Sequence, residues 1–363
     1  MNDRHNSLEI IGNQDYYHKL IADLLAFKSD DAVRNELVPM LERRARRVAT
    51  SDKAVLIMTV NMGQVDQLIN FACSHSEALR HAVIFAADAQ VAALLTHLNI
   101  EHFYSPKLFG ERPREASNAY GDRVFTRMMW MKTAPLLIAL HFNYSVLFQD
   151  VDVVWFRSPW DAFDDERFDC FFMSEMTYQH RFEPFYFNSG FFYLRNTRGV
   201  RAFMDELILQ AGLLYAKRSQ QMMINHMLGE HHLLLGRLHA HLLDPLDFMN
   251  GWFFHRFKER VASNKNSTRS DAASFRPPKA FHMNWTLNSK EKRANWRASR
   301  MWFVRNSTHC EAPTVEAARG APPLERSLDA FKQRCCDAAL RTQYDEHMRK
   351  YPPQPLRNVQ QKF

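Results

Sequence analysis

The sequence predicts an α/β fold in which helices cover both faces of a sheet, and two patterns support this prediction. Runs that are apolar throughout, as expected for strands covered on both faces, alternate with amphipathic stretches that are typical of helices. Alternation of this kind favours a parallel sheet with right-handed crossovers. The strand-like runs lie at residues 53–60, 81–87 and 100–105, and the helical stretches between them at residues 63–79 and 89–99.

The remaining elements continue this pattern along the chain. Residues 1–52 space their apolar side chains by three and four, which predicts a helical N-terminal extension. Residues 53–305 form the predicted main domain, and residues 306–363 a loop followed by a helical tail. Within the main domain, further strands are predicted at residues 144–149, 169–173, 185–197, 232–244 and 279–286, and further helices at residues 122–141, 200–216, 219–231 and 288–303.

The composition is that of an ordinary globular protein. The 363 residues are 46% hydrophobic and 24% charged, which allows one large domain with extensions or two smaller domains. The net charge of +7 is too diffuse to indicate nucleic-acid binding, and we interpret the basic run at residues 42–49 as a solvated helix face. No stretch approaches the roughly 20 apolar residues of a membrane span, and the N-terminus lacks the apolar core of a signal peptide. We therefore expect a soluble chain, cytoplasmic or Golgi-lumenal.

The five cysteines indicate neither a zinc site nor a disulfide framework. Their number is odd and no two of them form a CxxC pair. We expect free or buried thiols in a reducing compartment. The adjacent Cys335 and Cys336 lie in a polar helical segment, and we interpret this pairing as incidental.

Two aspartates flank Val151 at the end of the strand predicted at residues 144–149. In an extended chain residues i and i+2 point to the same side, so the carboxylates of Asp150 and Asp152 converge while Val151 faces the core. Carboxylates removed from water need a compensating charge, and a divalent cation such as Mg²⁺ or Mn²⁺ suits oxygen ligands. The alternative is a strand-end turn with solvated aspartates. The apolar run at residues 153–156 makes full exposure less natural and favours the metal site.

A second candidate lies in the block HMNWTLNSKEK at residues 282–292. His282 ends a short apolar run and offers a neutral nitrogen ligand. Lys290 and Lys292 open the next predicted helix, whose N-terminal amides together with a lysine suit a diphosphate. A histidine taken alone is usually an ordinary surface or core residue, and the case for a ligand strengthens only in the company of the other candidates.

A third candidate is the polar triplet inside the aromatic strand FNSGFFYL, at residues 187–194. Gly190 there implies either the close approach of a ligand to the backbone or a β-bulge. The sequence does not decide between these two interpretations.

Together these blocks resemble the nucleotide-diphospho-sugar transferase domain of retaining glycosyltransferases, and most of all glycosyltransferase family 77. That family includes plant cell-wall xylosyl-, arabinosyl- and galactosyltransferases. The resemblance covers residues 53–303 and implies a GT-A fold, that is, a Rossmann-like mixed sheet flanked by helices. It rests on the blocks YSVLFQDVDVVWFRSPWDAF, FNSGFFYLRNT and FHMNWTLNSKEKRANW, with TVN at residues 59–61, Asp88 and Lys132 as further agreements.

The resemblance also implies roles for single residues. Asp150, Asp152 and His282 would hold a divalent metal, usually Mn²⁺, that bridges the donor diphosphate. Residues expected along the nucleotide or its diphosphate are Thr59, Asn61, Asp88, Lys132, Gly190, Asn284 and Lys292. Residues expected at the donor sugar are Glu175, Asn188, Gln220 and Gln221. Gln220 stands where many relatives have an aspartate that touches the sugar, and Asn288 stands where a glycine is common.

The function implied is transfer of a sugar, with retention of configuration, from a nucleoside-diphosphate donor, UDP in the first instance, to a hydroxyl of a glycan or glycoprotein. The missing aspartate at position 220 leaves one alternative, a catalytically impaired protein that binds sugar nucleotides. A metal-dependent phosphohydrolase or nucleotidyltransferase would show further carboxylates at strand ends, and the sequence offers too few.

Overall fold

The computed structural model describes most of the predicted main domain and part of its two extensions. Residues 1–13 of the predicted N-terminal extension lie outside the described residues, as do residues 306–332 and 351–363 of the predicted tail. The described residues are 14–48, 52–106, 123–175, 186–210, 212, 219–252, 278–286, 288–305 and 333–350.

Eleven strands lie within the described residues, and most coincide with apolar runs of the sequence. They are β1 (Arg46–Val48), β2 (Asp52–Val60), β3 (Ala82–Ala86), β4 (His102–Phe103), β5 (Ser145–Gln149), β6 (Val153–Trp155), β7 (Cys170–Ser174), β8 (Phe187–Leu194), β9 (Ala240–Leu242), β10 (Phe248–Asn250) and β11 (Ala280–His282).

The α-helices of the described residues fall between these strands as the periodicity predicts. They are α1 (Gln14–Leu25), α2 (Val38–Arg44), α3 (Val65–Ser74), α4 (Ala89–His97), α5 (Arg123–His141), α6 (Arg198–Leu209), α7 (Gln220–Leu228), α8 (Ser289–Ala298) and α9 (Ala338–Lys350). Two short π-helical segments adjoin them, Val33–Leu37 before α2 and Gly229–Leu234 after α7.

The main sheet has the order β4-β3-β2-β5-β8-β7-β9, with β1 paired to the start of β2. Strands β4, β3, β2 and β5 run parallel, which confirms the predicted β-α-β-α-β unit. Strand β8 runs antiparallel to both β5 and β7, so the sheet is mixed. The predicted α/β class with a mixed sheet flanked by helices is confirmed.

The main sheet separates two apolar cores. Side chains of β2 alternate between them because successive residues of a strand point to opposite faces. Leu56 and Met58 pack with α3 and α4, whereas Val55 and Ile57 pack with α5. Both faces of β2 are therefore buried, which explains why its sequence is apolar without interruption.

A second, three-stranded sheet has the order β10-β11-β6. Strand β11 runs parallel to β10 and antiparallel to β6, and His282 lies opposite Val153. Since β6 begins directly after Asp152, this small sheet brings the C-terminal part of the main domain to the end of β5.

The segment containing α9 packs behind the small sheet. The Arg341 guanidinium donates hydrogen bonds to the carbonyl oxygens of Ser74, Trp155 (3.2 Å) and Phe156 (2.7 Å). Tyr344 is buried and stacks on Phe156 with ring centroids 4.5 Å apart. Sequence periodicity correctly predicted a helix here, but it did not predict that the helix is anchored to the core.

The expectation of free thiols is wrong for three of the five cysteines. Cys73 in α3 and Cys336, just before α9, form a disulfide across 263 positions of sequence. Cys335 is also disulfide-bonded, so the adjacent pair is not incidental. Cys170 is free and buried, as expected. Pairing of this kind depends on tertiary structure, and spacing along the chain gives no signal of it.

The basic run at residues 42–49 is only partly the helix face that we expected. Helix α2 ends at Arg44, and Arg46–Val48 instead pairs with the start of β2 as strand β1. Arg44 is half-buried against Glu101 rather than fully solvated. In the part of the chain that the structure describes, no helix combines the length and the apolar character needed to cross a membrane.

Candidate functional site

The two aspartates lie where the main sheet meets the small sheet. Asp150 directly follows β5, and its backbone N–H donates to the Gly190 carbonyl over 2.8 Å. Val151 is buried between them, as predicted. Ligand atoms of Asp150, Asp152 and His282 lie within 4.8 Å of one another, so they form a group that could hold a metal ion. The sequence-predicted trio is thus brought together in space.

His282 reaches the aspartates through pairing of backbone strands. The Met283 N–H donates to the Asp152 carbonyl over 2.9 Å, which extends the β11–β6 ladder by one bond. His282 Nε2 lies 3.3 Å from Asp152 Oδ1 and 3.9 Å from Asp150 Oδ2. The imidazole is almost fully buried, at 4% exposure.

Gly190 makes room for this imidazole. A Cβ atom at position 190 would lie 2.8 Å from both ring nitrogens of His282 and closer still to the Cε1 atom between them. Around this position the β7–β8 pairing shifts register, from Phe172 opposite Phe192 to Met173 opposite Asn188. The strand pairing is therefore irregular at Gly190, and the group that approaches Gly190 in the structure is the His282 ring.

Asn188 fixes how the imidazole faces the aspartates. His282 Nδ1 lies 3.1 Å from Asn188 Oδ1, which also accepts the Gly190 N–H over 2.8 Å. Because an amide oxygen only accepts, Nδ1 carries a proton, and Nε2 is the ring nitrogen that faces the carboxylates and would be free to bind a metal. Metal-binding histidines are held by such a second hydrogen bond. A neutral imidazole with two carboxylates fits Mn²⁺ or Mg²⁺.

Two lysines flank the aspartates. Lys132 Nζ lies 2.5 Å from Asp150 Oδ1, and Lys292 Nζ lies 2.5 Å from Asp152 Oδ2. Burial alone would raise the pKa of Asp152. The positive charges and hydrogen bonds of Lys292 and His282 outweigh burial and hold this pKa well below its ordinary value. Asp152 is therefore ionised in the folded protein, as a metal ligand must be.

Lys292 lies in the first turn of α8, which begins at Ser289. Asn288 caps this helix by accepting the Glu291 N–H over 3.0 Å, and its backbone is extended, with φ −158°. Although Asn288 stands where relatives often have a glycine, its backbone is not left-handed. The left-handed residue among the described positions of this segment is Trp285, with φ +60°.

Glu175 is buried next to this cluster, at the end of β7. It accepts hydrogen bonds from the side-chain amides of Asn188, Gln221 (3.3 Å) and Asn284 (3.5 Å), and the side chain of Trp285 lies close enough to lower its pKa. Burial raises the pKa of Glu175, and these hydrogen bonds offset only part of the rise. Glu175 is thus a carboxylate held by neutral donors.

The first residues of α7 complete the surroundings of Glu175. Gln221 accepts the Ser189 N–H over 3.1 Å, which ties α7 to the bulge of β8. Asn225 holds the same strand by bonding both the N–H (2.7 Å) and the carbonyl (2.8 Å) of Phe187. Gln220 is fully buried, and neither polar atom of its side chain has a hydrogen-bond partner among the described residues. An orphaned buried amide is costly and often marks a place where a ligand or water completes the bonding.

Three of the residues expected along the nucleotide or its diphosphate, Thr59, Asn61 and Asp88, lie at the carboxyl ends of the parallel strands. Thr59 Oγ1 donates to the Met131 carbonyl over 3.4 Å, and Asn61 is buried directly after β2. Asp88 is the N-cap of α4, where it accepts the N–H groups of Gln90 and Val91 at 2.9 Å. Capping accounts for Asp88 without a ligand, and its role at a nucleotide stays a prediction.

Trp285 is the site residue that the sequence did not single out. It lies within the block quoted for His282 and Lys292, but a lone tryptophan carries no periodicity or spacing signal. Its contact with Glu175 becomes visible only when β11 and β7 are brought together in the fold.

The fold and this cluster define a protein suited to bind a divalent cation together with an anionic phosphate group at the carboxyl ends of parallel strands. The family model described as nucleotide-diphospho-sugar transferase matches residues 77–295. The chain belongs to this glycosyltransferase family, which confirms the resemblance seen in the sequence.

Two relatives from Arabidopsis thaliana match over about half of this chain. UDP-D-xylose:L-fucose alpha-1,3-D-xylosyltransferase MGP4 is 23% identical over 52% of this chain and 53% of its own length. Beta-arabinofuranosyltransferase RAY1 is 23% identical over 51% of this chain and 36% of its own length. The chain therefore spans about half the length, or less, of the curated relatives it matches.

Solved structures of glycosyltransferases also match. An active-site mutant of LgtC has a TM-score of 0.41 at 11% identity, covering 70% of this chain and 99% of that chain. Mouse xyloside xylosyltransferase 1 has a TM-score of 0.36 at 15% identity, covering 65% of this chain and 99% of that chain. At these TM-scores the similarity supports no further argument.

Proposed function

We propose that this protein is a metal-dependent retaining glycosyltransferase that moves a sugar from a UDP-sugar to a hydroxyl of a glycan or glycoprotein. One observation carries the proposal beyond family membership, namely the convergence of Asp150, Asp152 and His282 at the end of β5. The name of the MGP4 relative, which states a UDP-sugar donor and a sugar acceptor, supports the same substrate classes.

In this proposal Asp150, Asp152 and His282 hold the divalent cation, Mn²⁺ in the first instance. When bound, such an ion supplies Lewis-acid stabilisation of the charge that develops on a leaving diphosphate. Lys132 and Lys292 add fixed positive charge beside the aspartates, where an anionic leaving group would be stabilised further. Each lysine would exchange its carboxylate for a phosphate oxygen without leaving the site.

The surroundings of Glu175 favour front-side attack over a covalent glycosyl-enzyme. A carboxylate nucleophile needs a free lone pair aimed at the anomeric carbon. The oxygens of Glu175 already accept hydrogen bonds from several side-chain donors, among them Asn188 and Gln221. This arrangement suits a residue that orients amide groups towards the donor sugar rather than one that attacks it.

Gln220 is our candidate for contact with that sugar. Its buried amide has one donor group and one acceptor group without partners in the described part of the chain. A pair of sugar hydroxyls supplies the complementary acceptor and donor. Because the side chain is neutral where relatives carry an acid, we propose that it alters which donor is accepted.

The disulfide between Cys73 and Cys336 is relevant to the cellular compartment in which this protein works. A pairing of Cys73 with Cys336 persists in oxidising surroundings and is rare in the cytosol. We therefore propose that this protein works in an oxidising compartment of the secretory pathway, which favours the Golgi-lumenal of the two locations expected from the sequence.

The decisive experiment is UDP release from a panel of UDP-sugars with Mn²⁺, with and without EDTA. Wild-type protein should release UDP from at least one donor, and EDTA should abolish the release. Asp152→Asn keeps the side-chain shape but removes a charged ligand, so turnover should fall at least about 100-fold. Asp165→Asn, at an ion pair with the exposed Arg167, is the matched control and should match wild type.

Three outcomes are informative. Mn²⁺-dependent turnover that survives in Asp152→Asn would refute the metal site. Mn²⁺-dependent binding of UDP-sugars without any turnover would favour the non-catalytic sugar-nucleotide binder instead. An NMR assignment of the product's anomeric configuration tests retention, and inversion at the anomeric carbon would overturn that part of the proposal.

A further inference from the structure

Trp285 differs from the other tryptophans that the structure describes. It is 51% exposed, whereas Trp252 is partly buried and the others are fully buried in the cores. A large aromatic side chain left open to water is ordinary when it stands alone on a surface. Trp285 instead lies two residues beyond Met283, whose N–H bonds to Asp152, and therefore at the edge of the proposed site.

The backbone at Trp285 is in the left-handed region, with φ +60°. This conformation is unfavourable for a bulky side chain and persists only where the surroundings enforce it. Here they do so from two directions. Met283 is bonded to Asp152 over 2.9 Å, and Asn284 Oδ1 accepts the Gly251 N–H over 2.6 Å.

Gly251 shows how tightly the segment is held. A Cβ atom there would lie 2.9 Å from the carbonyl carbon of Asn284 and 3.0 Å from its side-chain oxygen. The backbone of residues 283–285 is therefore held on one side by Asp152 and on the other side by Gly251, at the end of β10. This arrangement presents Trp285 in one orientation at the cost of backbone strain.

The indole N–H is the only polar group of the Trp285 side chain, and Trp285 is among the groups that lower the pKa of the buried Glu175. Its neighbour Asn284 donates a hydrogen bond to the same carboxylate over 3.5 Å. The exposed part of the side chain therefore consists mainly of ring carbons. A rigid apolar surface beside a buried carboxylate is a platform for a flat, partly apolar ligand.

We propose that Trp285 is the platform on which the acceptor sugar stacks during transfer. This inference rests on the proposed function. A pyranose ring has a face of C–H groups that packs on an indole, and hydroxyls at its edge that remain free to hydrogen-bond. Glycosyl transfer needs such a ring held with one hydroxyl directed at the donor, and positioning of this kind is a large part of catalysis.

The residues proposed for the donor and for the acceptor differ in how far they are exposed to solvent. The groups proposed to hold the donor are almost entirely buried, with Asp152 at 3%, Glu175 at 6% and Gln220 at 0% exposure. Trp285 lies beside this buried group, since its neighbour Asn284 bonds to Glu175, but half of its own surface is exposed. If the donor occupies the buried group, a second ligand that arrives from solvent meets Trp285 first, and in a transfer reaction that ligand is the acceptor.

The test compares wild type with Trp285→Phe and Trp285→Ala by saturation-transfer NMR. The protein is loaded with UDP and Mg²⁺, because paramagnetic Mn²⁺ would broaden the signals of a nearby ligand, and the probes are the methyl glycosides of L-fucose, D-galactose and D-xylose. In wild type, saturation of aromatic protons should pass to the ring protons of at least one glycoside. The signal should be lost in Trp285→Ala and largely kept in Trp285→Phe. Leu234→Ala, at a leucine with 79% exposure, is the control and should behave as wild type.

Kinetics supply the second readout. With an acceptor that is turned over, Trp285→Ala should raise the KM for the acceptor about tenfold more than the KM for the UDP-sugar. Equal effects on the two KM values would overturn the inference, because they indicate general damage to the site. A larger effect on the UDP-sugar would also overturn it and assign Trp285 to the donor.

The two readouts distinguish this inference from the proposed function. Saturation transfer to a glycoside does not require turnover. If wild type passes saturation to a glycoside through Trp285 but releases UDP from no donor, the platform stands and the transferase proposal fails. If wild type turns over donor and acceptor but no signal depends on Trp285, the platform is refuted and the transferase stands.

Discussion

Replacement of Gly190 by alanine tests the geometry of the metal site more directly than removal of a ligand. The variant adds one methyl group to a buried strand and leaves all three candidate ligands in place. That methyl group would sit 2.8 Å from both nitrogens of the His282 ring, where ordinary van der Waals contact begins at 3.4 Å. Because the methyl group is even closer to Cε1, the imidazole must move by about 1 Å, or β8 must shift by as much.

A displacement of this size is large for a metal site. Ligand distances at such sites are fixed to within about 0.2 Å, so His282 could not keep its place beside Asp150 and Asp152. Loss of a single orienting contact behind a ligand typically weakens metal binding about 10- to 100-fold. We expect at least that loss of Mn²⁺ affinity in Gly190→Ala, or about 1.4 to 2.8 kcal/mol. The overpacked strand should cost about 1 to 3 kcal/mol of folding stability as well.

The assay is calorimetric titration of metal-free protein with Mn²⁺, alongside thermal unfolding. Gly229→Ala is the matched control, because a Cβ there meets nothing within 4 Å and the residue has helical φ of −55°. The control should bind Mn²⁺ as wild type does. If Gly190→Ala bound Mn²⁺ within twofold of wild type while folded, the inference that position 190 must stay open for His282 would be refuted.

Two further predictions concern stability. Cys336→Ser opens the crosslink to Cys73 and should lower the free energy of unfolding by about 2 to 5 kcal/mol in non-reducing denaturation. Cys170→Ala, which removes a free thiol but no crosslink and buries no new polar group, is its control and should lose less, and an equal loss in both variants would argue against the disulfide. Glu175→Gln should change the pH dependence of stability, because burial raises the pKa of Glu175 in the folded state only. Wild type should lose stability as pH rises above the ordinary value of 4.5, whereas the variant should not, and parallel stability curves would contradict this.

The parts of the site that could be predicted from sequence are those determined by patterns within short runs of neighbouring residues. The pair Asp150 and Asp152 could be predicted as a site because apolar residues precede and follow it. Burial of the strand then brings the two carboxylates to the same side. His282 was found for a similar reason, since it ends an apolar run before a lysine-bearing helix. In both cases the local pattern fixes the direction of the side chain, and the sheet order brings the strand ends together.

The parts that were missed depend on contacts between distant segments. Gly190 was a candidate because it lies in a polar triplet inside an aromatic strand, but the sequence could not show that a ring from 92 positions further along the chain fills the space it leaves. The backbone conformations of Trp285 and Asn288 could not be predicted for a related reason. Both lie in one turn, and asparagine tolerates the left-handed region better than tryptophan does. Hydrogen bonds of this segment to Gly251 and Asp152 outweigh that local preference, and the left-handed conformation falls on Trp285 instead.

The C-terminal segment that contains α9 also contributes to the geometry of the candidate metal site, in addition to the loop of Asp150 and Asp152. Strand β6, which follows Asp152, lies at one edge of the small sheet, so among the strands that the structure describes none binds its carbonyl groups on the outer side. Arg341 supplies this bonding by donating to the carbonyls of Trp155 and Phe156. Since β6 pairs with β11 in the register that sets His282 beside Asp152, the guanidinium of α9 helps to fix the distance between two of the three candidate ligands. A helix that looks merely polar in sequence therefore belongs to the structural support of the site, and the disulfide at Cys336 keeps it there.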